Sequence, residues 1–166
     1  IAKSARSRNR RAPSGPGIAL RAGMSEPSSP VASAAAATAA ARRHVRWREL
    51  DLRTHEVELG DFRVHWAEAG AGDDAVVLLH GLSGSARWWA RNIDALAARH
   101  RVLVPDVIGF GRSRLGGLRL PEVPEVAEVI ARWIGLAAGE PAHLVGHSMG
   151  GQLAVHVAAR WPECVR

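Results

Sequence analysis

A serine lies between two glycines in the segment "HLVGHSMGG", residues 143–151. The spacing G-x-S-x-G puts Gly146 and Gly150 two residues on either side of Ser148. A serine hydroxyl can attack an acyl group when small neighbours hold it at the tip of a tight turn between a strand and a helix. The pattern therefore predicts a nucleophile elbow with Ser148 at its tip.

The backbone near Ser148 could also stabilise the negative charge that develops on a carbonyl oxygen under attack. The amide of Met149 opens a predicted helix, where the helix dipole is positive. The loop that follows the apolar run "AVVLLH" (75–80) is placed to bring a second amide, that of Leu82. We expect the amides of Leu82 and Met149 to form an oxyanion hole.

The histidines of the sequence do not offer Ser148 a base. On a helix that rises 1.5 Å per residue, His156 lies about 12 Å beyond Ser148, whereas a base must lie within about 3 Å. We expect His80 to brace its own loop and His147 to point away from the hydroxyl. The carboxylate of Glu163 lies beyond the predicted helix and not on a later strand loop.

Apolar patterning predicts the elements that position these residues. After a β-hairpin, strands alternate with helices in the order β-α-β-α-β-α, which indicates an α/β fold with a mostly parallel sheet flanked by helices. Loops after the strands then gather at one edge of the sheet, where ligands bind. The predicted elements are a hairpin about Gly60–Asp61, buried strands at 75–80, 101–106 and 141–146, and helices at 85–100, 121–139 and 149–160.

Three segments that follow or include these strands occur in order: "LLHGLSGSARWW", "VLVPDVIGFGRS" and "HLVGHSMGG". Together they resemble the N-terminal signatures of the α/β-hydrolase family, in its serine-nucleophile, esterase- and lipase-like branch. The resemblance covers about residues 50–166. It implies a serine hydrolase that acts on a carboxylic ester or related acyl bond through an acyl-enzyme on Ser148. It also implies a structural role for Asp106 and support of the loop and elbow by His80, Gly81, Gly146 and Gly150.

In that family the acid and the histidine base follow the serine along the chain. We therefore expect both to lie outside these 166 residues, which resemble the N-terminal part of such an enzyme truncated after the elbow helix, and we expect the chain alone to be inactive. The strand at 141–146 would then form an exposed edge. The alternative is a catalytically inactive hydrolase remnant or interaction module.

The residue type at position 148 narrows the chemistry. A serine there argues against the dehalogenase and epoxide-hydrolase branches, which attack with a carboxylate. Esterase, thioesterase, lactonase, carbon–carbon hydrolase and acyltransferase remain open. The expected partner is a small-molecule acyl substrate, with no cofactor and no metal. Trp88, Trp89 and Trp133 are expected to pack in or around the core.

The net charge of +6 lies in the first part of the chain. Residues 1–23 hold six of the 22 basic residues and no acidic one, so the remaining 22 − 6 = 16 balance the 16 acidic residues. The body therefore carries no electrostatic signature of a nucleic-acid partner. The six are Lys3, Arg6, Arg8, Arg10, Arg11 and Arg21.

Composition divides the chain into a leader and a domain. Residues 1–43 are rich in basic residues and alanine and are expected to be disordered. Residues 1–23 are expected to precede the true start at Met24 or to mark the edge of a fragment, with an organelle-targeting leader as the alternative. Residues 44–166 form the expected domain. The single cysteine, Cys164, excludes an internal disulfide framework and a multi-cysteine metal site. No apolar run is long enough to span a membrane, and we expect a cytoplasmic location.

Overall fold

A computed structural model describes residues 45–166, except residues 118, 120 and 140. The predicted leader, residues 1–43, lies outside the described residues. The strands are β1 Arg53–Leu59, β2 Phe62–Ala69, β3 Ala75–Leu79, β4 Arg101–Pro105, β5 Arg114–Leu115 and β6 His143–Gly146. The α-helices are α1 Ala90–Ala97, α2 Val123–Ala137 and α3 Met149–Arg160. Short 3-10 helices occupy Trp47–Glu49, Ala86–Trp89 and Pro162–Cys164.

The strands form one sheet in the order β1-β2-β4-β3-β6, with β5 paired to β2. β3 runs parallel to both β4 and β6, while β1 and β4 run antiparallel to β2. The expected α/β fold is therefore confirmed. The three strands joined by helices are the parallel ones, as crossover connections require.

The predicted hairpin about Gly60–Asp61 is confirmed. Leu59 pairs with Phe62 across the two-residue turn Gly60–Asp61. Gly60 has a φ of 64°, which belongs to the left-handed region that such short hairpin turns use. The hairpin extends the sheet beyond β4.

Two apolar cores cover the two faces of the sheet. Alternate residues of β3 point to opposite faces, so that Val77 and Leu79 join one core and Val76 and Leu78 the other. The core on the first face includes residues of α2 and α3, and the core on the second face includes Ile93 of α1. β3 is buried along its whole length, as its continuous apolar run predicts.

The structure corrects three predictions about elements. The helix expected at 85–100 begins as a 3-10 turn, and the α-helix itself spans only Ala90–Ala97. The glycine-rich loop after β4 contains a short strand, Arg114–Leu115, which pairs with β2. The strand expected at 141–146 is shorter, His143–Gly146, and it is half-buried to exposed, in agreement with the exposed edge expected for it. Its exposure follows from its place at the edge, where β3 is its only partner strand among the described residues.

A buried carboxylate ties the hairpin to the parallel part of the sheet. Glu68 in β2 is 8 % exposed and accepts hydrogen bonds of 3.0 Å from both Arg53 and Arg101. Burial raises the pKa of Glu68, but the hydrogen bonds from Arg101 and Arg53 outweigh it and hold that pKa below its usual range. Arg101 also donates to the carbonyls of Ala137 and Ala138, where α2 ends. None of the described helices is long and apolar enough to cross a membrane.

Candidate active site

Two neighbouring strand ends begin the site. β3 and β6 are parallel partners, and their last residues, Leu79 and Gly146, lie opposite each other. The loops that follow therefore leave the sheet side by side. The His147 amide donates a hydrogen bond of 3.0 Å to the Leu79 carbonyl, which ties the second loop to the end of β3.

Ser148 sits in a strained turn between β6 and α3. Its φ of 53° and ψ of −118° are rare for a residue with a side chain, a conformation that costs about 1–3 kcal/mol. The Gly150 amide donates to the His147 carbonyl over 2.9 Å, and the Gly151 amide donates to the Ser148 carbonyl over 2.8 Å. α3 therefore starts directly after Ser148, which is exposed to solvent.

Gly146 and Gly150 make the tight turn sterically feasible. A Cβ on Gly146 would overlap the Gly150 carbonyl, and a Cβ on Gly150 would overlap the Leu79 carbonyl. Any side chain at these two positions would push strand and helix apart. The spacing of small residues around Ser148 is thus required by the backbone contacts of this turn.

The loop after β3 packs against the serine. A Cβ on Gly81 would lie 3.2 Å from the Ser148 Cβ, so the two loops are in direct contact. A turn follows, in which the Gly84 amide donates to the Gly81 carbonyl over 3.0 Å. Among the described residues, no carbonyl accepts a hydrogen bond from the amide of Leu82 or of Met149. The two amides expected to form the oxyanion hole are therefore available as donors, one on each loop.

His80 is a fully buried link between two loops. Its Nδ1 lies 2.8 Å from the Gly81 carbonyl, and its Nε2 accepts a hydrogen bond of 2.9 Å from the Val107 amide. An accepting Nε2 leaves the proton on Nδ1, which donates it to the carbonyl. Burial lowers the pKa of His80, against smaller opposing effects of the Gly81 carbonyl and Asp106. The geometry holds the loop that carries Leu82 and leaves neither ring nitrogen free for Ser148.

The depressed pKa of His80 makes the stability of the fold depend on pH in the mildly acidic range. The unfolded chain binds a proton at about pH 6.5 and the folded chain only at lower pH, so stability is full above 6.5 and falls as pH falls. The loss reaches up to about 1.4 kcal/mol per pH unit. We expect urea unfolding to give a lower free energy of unfolding at about pH 5.5 than at about pH 7.5, and His80→Gln to lack this part of the difference. Equal losses in both proteins would contradict this role.

Asp106 holds the loop after β4 together. It is 4 % exposed, and its carboxylate accepts hydrogen bonds of 2.8 Å from the amides of Ala86 and Arg112. The Ser113 hydroxyl donates to the Asp106 carbonyl over 2.6 Å and accepts from the His65 amide over 2.9 Å. These contacts fix two loops of the same edge relative to each other and bring no carboxylate to Ser148.

The other residues near the serine include no base. His147 packs its ring against Trp88, with ring centroids 5.2 Å apart, and no described residue hydrogen-bonds to the Ser148 hydroxyl. His156 lies two turns along α3. Trp133 is buried as expected, whereas Trp88 is 52 % exposed, beside the residue that precedes Ser148. Among residues 45–166 that the structure describes, no group of three or more His, Cys, Asp or Glu could hold a metal ion.

An apolar cavity of about 350 Å³ begins beside the elbow. Leu82 and Met149, whose amides flank the serine, both line it. This cavity could not be predicted from the sequence, because its walls come from four separate segments. Its other lining residues are Val107, Ile108, Gly109, Phe110, Leu115, Pro121, Val123, Val126 and Leu153.

Comparison with known proteins agrees with the fold. The family model described as "alpha/beta hydrolase fold" matches residues 74–166. A 2-hydroxy-6-oxononadienedioate/2-hydroxy-6-oxononatrienedioate hydrolase of Paraburkholderia phymatum is 41% identical over 112 residues, which are 63% of this chain and 38% of that protein. The dihydrolipoyllysine-residue acetyltransferase component of the acetoin cleaving system of Cupriavidus necator is 36% identical over 110 residues, 65% of this chain and 29% of that protein.

One solved structure matches a larger share of the chain than these two relatives. The crystal structure of a membrane phospholipase A, described as a bacterial virulence factor, superposes with a TM-score of 0.65 at 27% identity and covers 81% of this chain and 41% of that one. The chain thus spans about two fifths or less of the length of these relatives. The order of strands, the elbow and the family match lead to one conclusion: the chain belongs to the α/β-hydrolase fold family.

Proposed function

We propose that this chain carries the nucleophile of a serine hydrolase that acts on a carboxylic ester or related acyl bond, and that Ser148 is that nucleophile. The observation that carries the proposal is the backbone of Ser148, which is held at a positive φ between Gly146 and Gly150 at the start of α3. A strained and exposed serine at the end of a parallel strand is costly for a protein to keep. Such strain is typical of functional sites.

The proposed reaction has two steps. Ser148 Oγ bonds to the acyl carbon while its proton passes to a base, and the bond from that carbon to the leaving group breaks with the proton delivered to the leaving group. Water then attacks the acyl-enzyme. The carboxylic acid product is released, and the Ser148 oxygen regains its proton. The amides of Leu82 and Met149 would stabilise the oxyanion of each tetrahedral intermediate, and loss of one such donor typically costs about 10²–10³ in turnover.

We propose that the base and its acid come from outside the described residues. The nitrogens of His80 are already engaged by Gly81 and Val107, and His147 packs on Trp88. The names of the two relatives support acyl or related chemistry, since one is a hydrolase and the other an acetyltransferase component. The full activity is therefore a property to be measured on the protein expressed from its complete reading frame.

The test is covalent labelling with an alkyl fluorophosphonate, which phosphonylates activated serines. We expect the protein from the complete reading frame to gain one adduct, located by peptide mass mapping on Ser148. Ser83 provides a matched comparison, because it is exposed and has a φ of 57°, close to the 53° of Ser148. An adduct on Ser83, or the absence of an adduct on every serine, would contradict the proposal.

The 166-residue chain on its own is expected to hydrolyse p-nitrophenyl acetate at close to the background rate. The reason is that no described histidine can take the proton of Ser148, and without a base only a small part of the rate enhancement remains. Ser148→Ala should therefore leave this low rate unchanged. Initial rates followed by nitrophenolate absorbance check this, and a rate that falls in Ser148→Ala would contradict it.

A further inference from the structure

The cavity beside the elbow has no charged residue among the described residues that line it, in contrast to the hollow that Asp106 and Arg112 line. Its walls come from four segments: the loop after β3, the loop after β4 as far as Leu115, and the first turns of α2 and α3 with Pro121. Val126 and Leu153 are 8 % and 1 % exposed and form its inner side. Asp106 and Arg112 line a separate hollow. The charged groups of the segment that carries Pro121 and Val123 include Arg119 and Glu125, which pair with each other.

A carboxylate placed in such a cavity would lose its hydration without gaining a partner. Moving an unpaired charge into an apolar site is strongly unfavourable, whereas each buried methylene of an uncharged chain gains about fourfold in affinity. An apolar cavity of about 150 Å³ holds a benzene ring, so one of about 350 Å³ has room for a chain of roughly six to ten carbons.

We propose that this cavity takes an uncharged, apolar acyl group of about six to ten carbons, and that it disfavours acyl groups that end in a carboxylate. The inference rests on the proposed function of Ser148 and adds the class of substrate. It differs from what the name of the Paraburkholderia phymatum relative says, since a "dioate" carries two carboxylates. Val123, at the first position of α2, lies half-buried in the wall and is the residue best placed to tune this preference.

The kinetic test compares three esters on the protein expressed from its complete reading frame. We expect kcat/KM for p-nitrophenyl hexanoate to exceed that for p-nitrophenyl acetate by at least about tenfold, given about fourfold per methylene. We expect mono-p-nitrophenyl adipate, which has the same chain length with a terminal carboxylate, to fall below the hexanoate by about 100-fold or more. Equal values for hexanoate and adipate would overturn the inference.

Substitutions in the wall of the cavity test whether the cavity determines the preference for the acyl group. Val123→Phe should lower the ratio of hexanoate to acetate by about tenfold by filling the cavity, and Val123→Arg should raise the ratio of adipate to hexanoate by pairing with the carboxylate. Val155→Phe is the matched control, because Val155 is 68 % exposed on α3 and does not line the cavity. The same shift in Val155→Phe as in Val123→Phe would overturn the assignment of the cavity.

A binding measurement separates this inference from the proposed role of Ser148. In the Ser148→Ala variant, which cannot form an acyl-enzyme, methyl NMR signals of Val126 and Leu153 should shift on addition of methyl hexanoate and stay unmoved with monomethyl adipate. Activity that persists in Ser148→Ala would overturn the proposed function. If these signals do not shift with methyl hexanoate, or shift equally with both esters, the inference that the cavity selects uncharged acyl groups is overturned, whatever the kinetics show.

Discussion

Replacing Ser148 by alanine in the protein expressed from its complete reading frame is expected to lower kcat for ester hydrolysis by about 10⁴–10⁶. The change removes a single oxygen at the tip of the elbow and leaves the backbone contacts of Gly146 and Gly150 in place. KM should change little, because the apolar cavity and the two oxyanion amides remain. Steady-state kinetics with p-nitrophenyl hexanoate measures both quantities.

Ser83→Ala is the control for this prediction. Ser83 is exposed, has a similarly positive φ and lies on the neighbouring loop. Its replacement therefore shows what the loss of an exposed serine with this φ does when that serine is not the proposed nucleophile. We expect Ser83→Ala to keep kcat within about twofold of the parent protein. A loss of the same size in both variants, or in Ser83→Ala alone, would show that Ser148 has no special role.

Gly150→Ala is expected to lower the free energy of unfolding by about 3 kcal/mol or more. A Cβ at this position would overlap the Leu79 carbonyl, and the nearby carbonyl of His80 leaves no direction in which it could move. The Leu79 carbonyl ends β3 and the His80 carbonyl follows it directly; both residues are fully buried, so neither carbonyl can yield without opening the sheet. Urea unfolding of the 166-residue chain gives the measurement.

Gly151→Ala provides the matched control on the same helix. The nearest atom to a Cβ there is the Gly146 carbonyl oxygen at 3.5 Å, an ordinary contact. Alanine is the better helix former by about 1 kcal/mol, so Gly151→Ala should stabilise the chain or leave it unchanged. Alanine substitutions at these two adjacent glycines are thus expected to have different effects on the free energy of unfolding: a loss at Gly150, and a gain or no change at Gly151. An unchanged free energy of unfolding in Gly150→Ala would contradict the close packing of Gly150 against the Leu79 and His80 carbonyls.

The elbow could be predicted from the sequence because its requirements are local. Small residues two positions before and after Ser148, an apolar run before it and a helical pattern after it are all visible within fewer than twenty residues. The same holds for β3, whose five apolar residues between turn signals predict a strand, and for the hairpin at Gly60–Asp61. In each case one short segment determines the backbone path.

Features that depend on segments far apart in the chain were not predicted. β5 is only two residues long and forms because Arg114 and Leu115 meet Arg63 and Phe62 of the hairpin. The walls of the cavity come from four segments, and the apolar residues of α2 and α3 that form it read as ordinary core positions. Trp88 is expected in or around the core, and its sequence position does not show that it lies half-exposed against His147 at the rim of the site.

The difference in burial between β3 and β6 also depends on segments that are far apart in the chain. Both strands are apolar, and their sequences alone predict burial for both. β3 has a partner strand on each side, whereas β6 pairs along its length with β3 alone among the described strands, and Val145 is 41 % exposed. Burial is thus set by position in the sheet, which a short apolar run does not specify.

The most direct measurement of the central claim is to trap the acyl-enzyme. The protein expressed from its complete reading frame would be mixed with p-nitrophenyl hexanoate, quenched with acid within the first turnover, and digested for peptide mass mapping. We predict a hexanoyl group on Ser148 that disappears when quenching is delayed until the substrate is consumed. A hexanoyl group on another residue, or turnover that proceeds equally well in Ser148→Ala, would contradict the account.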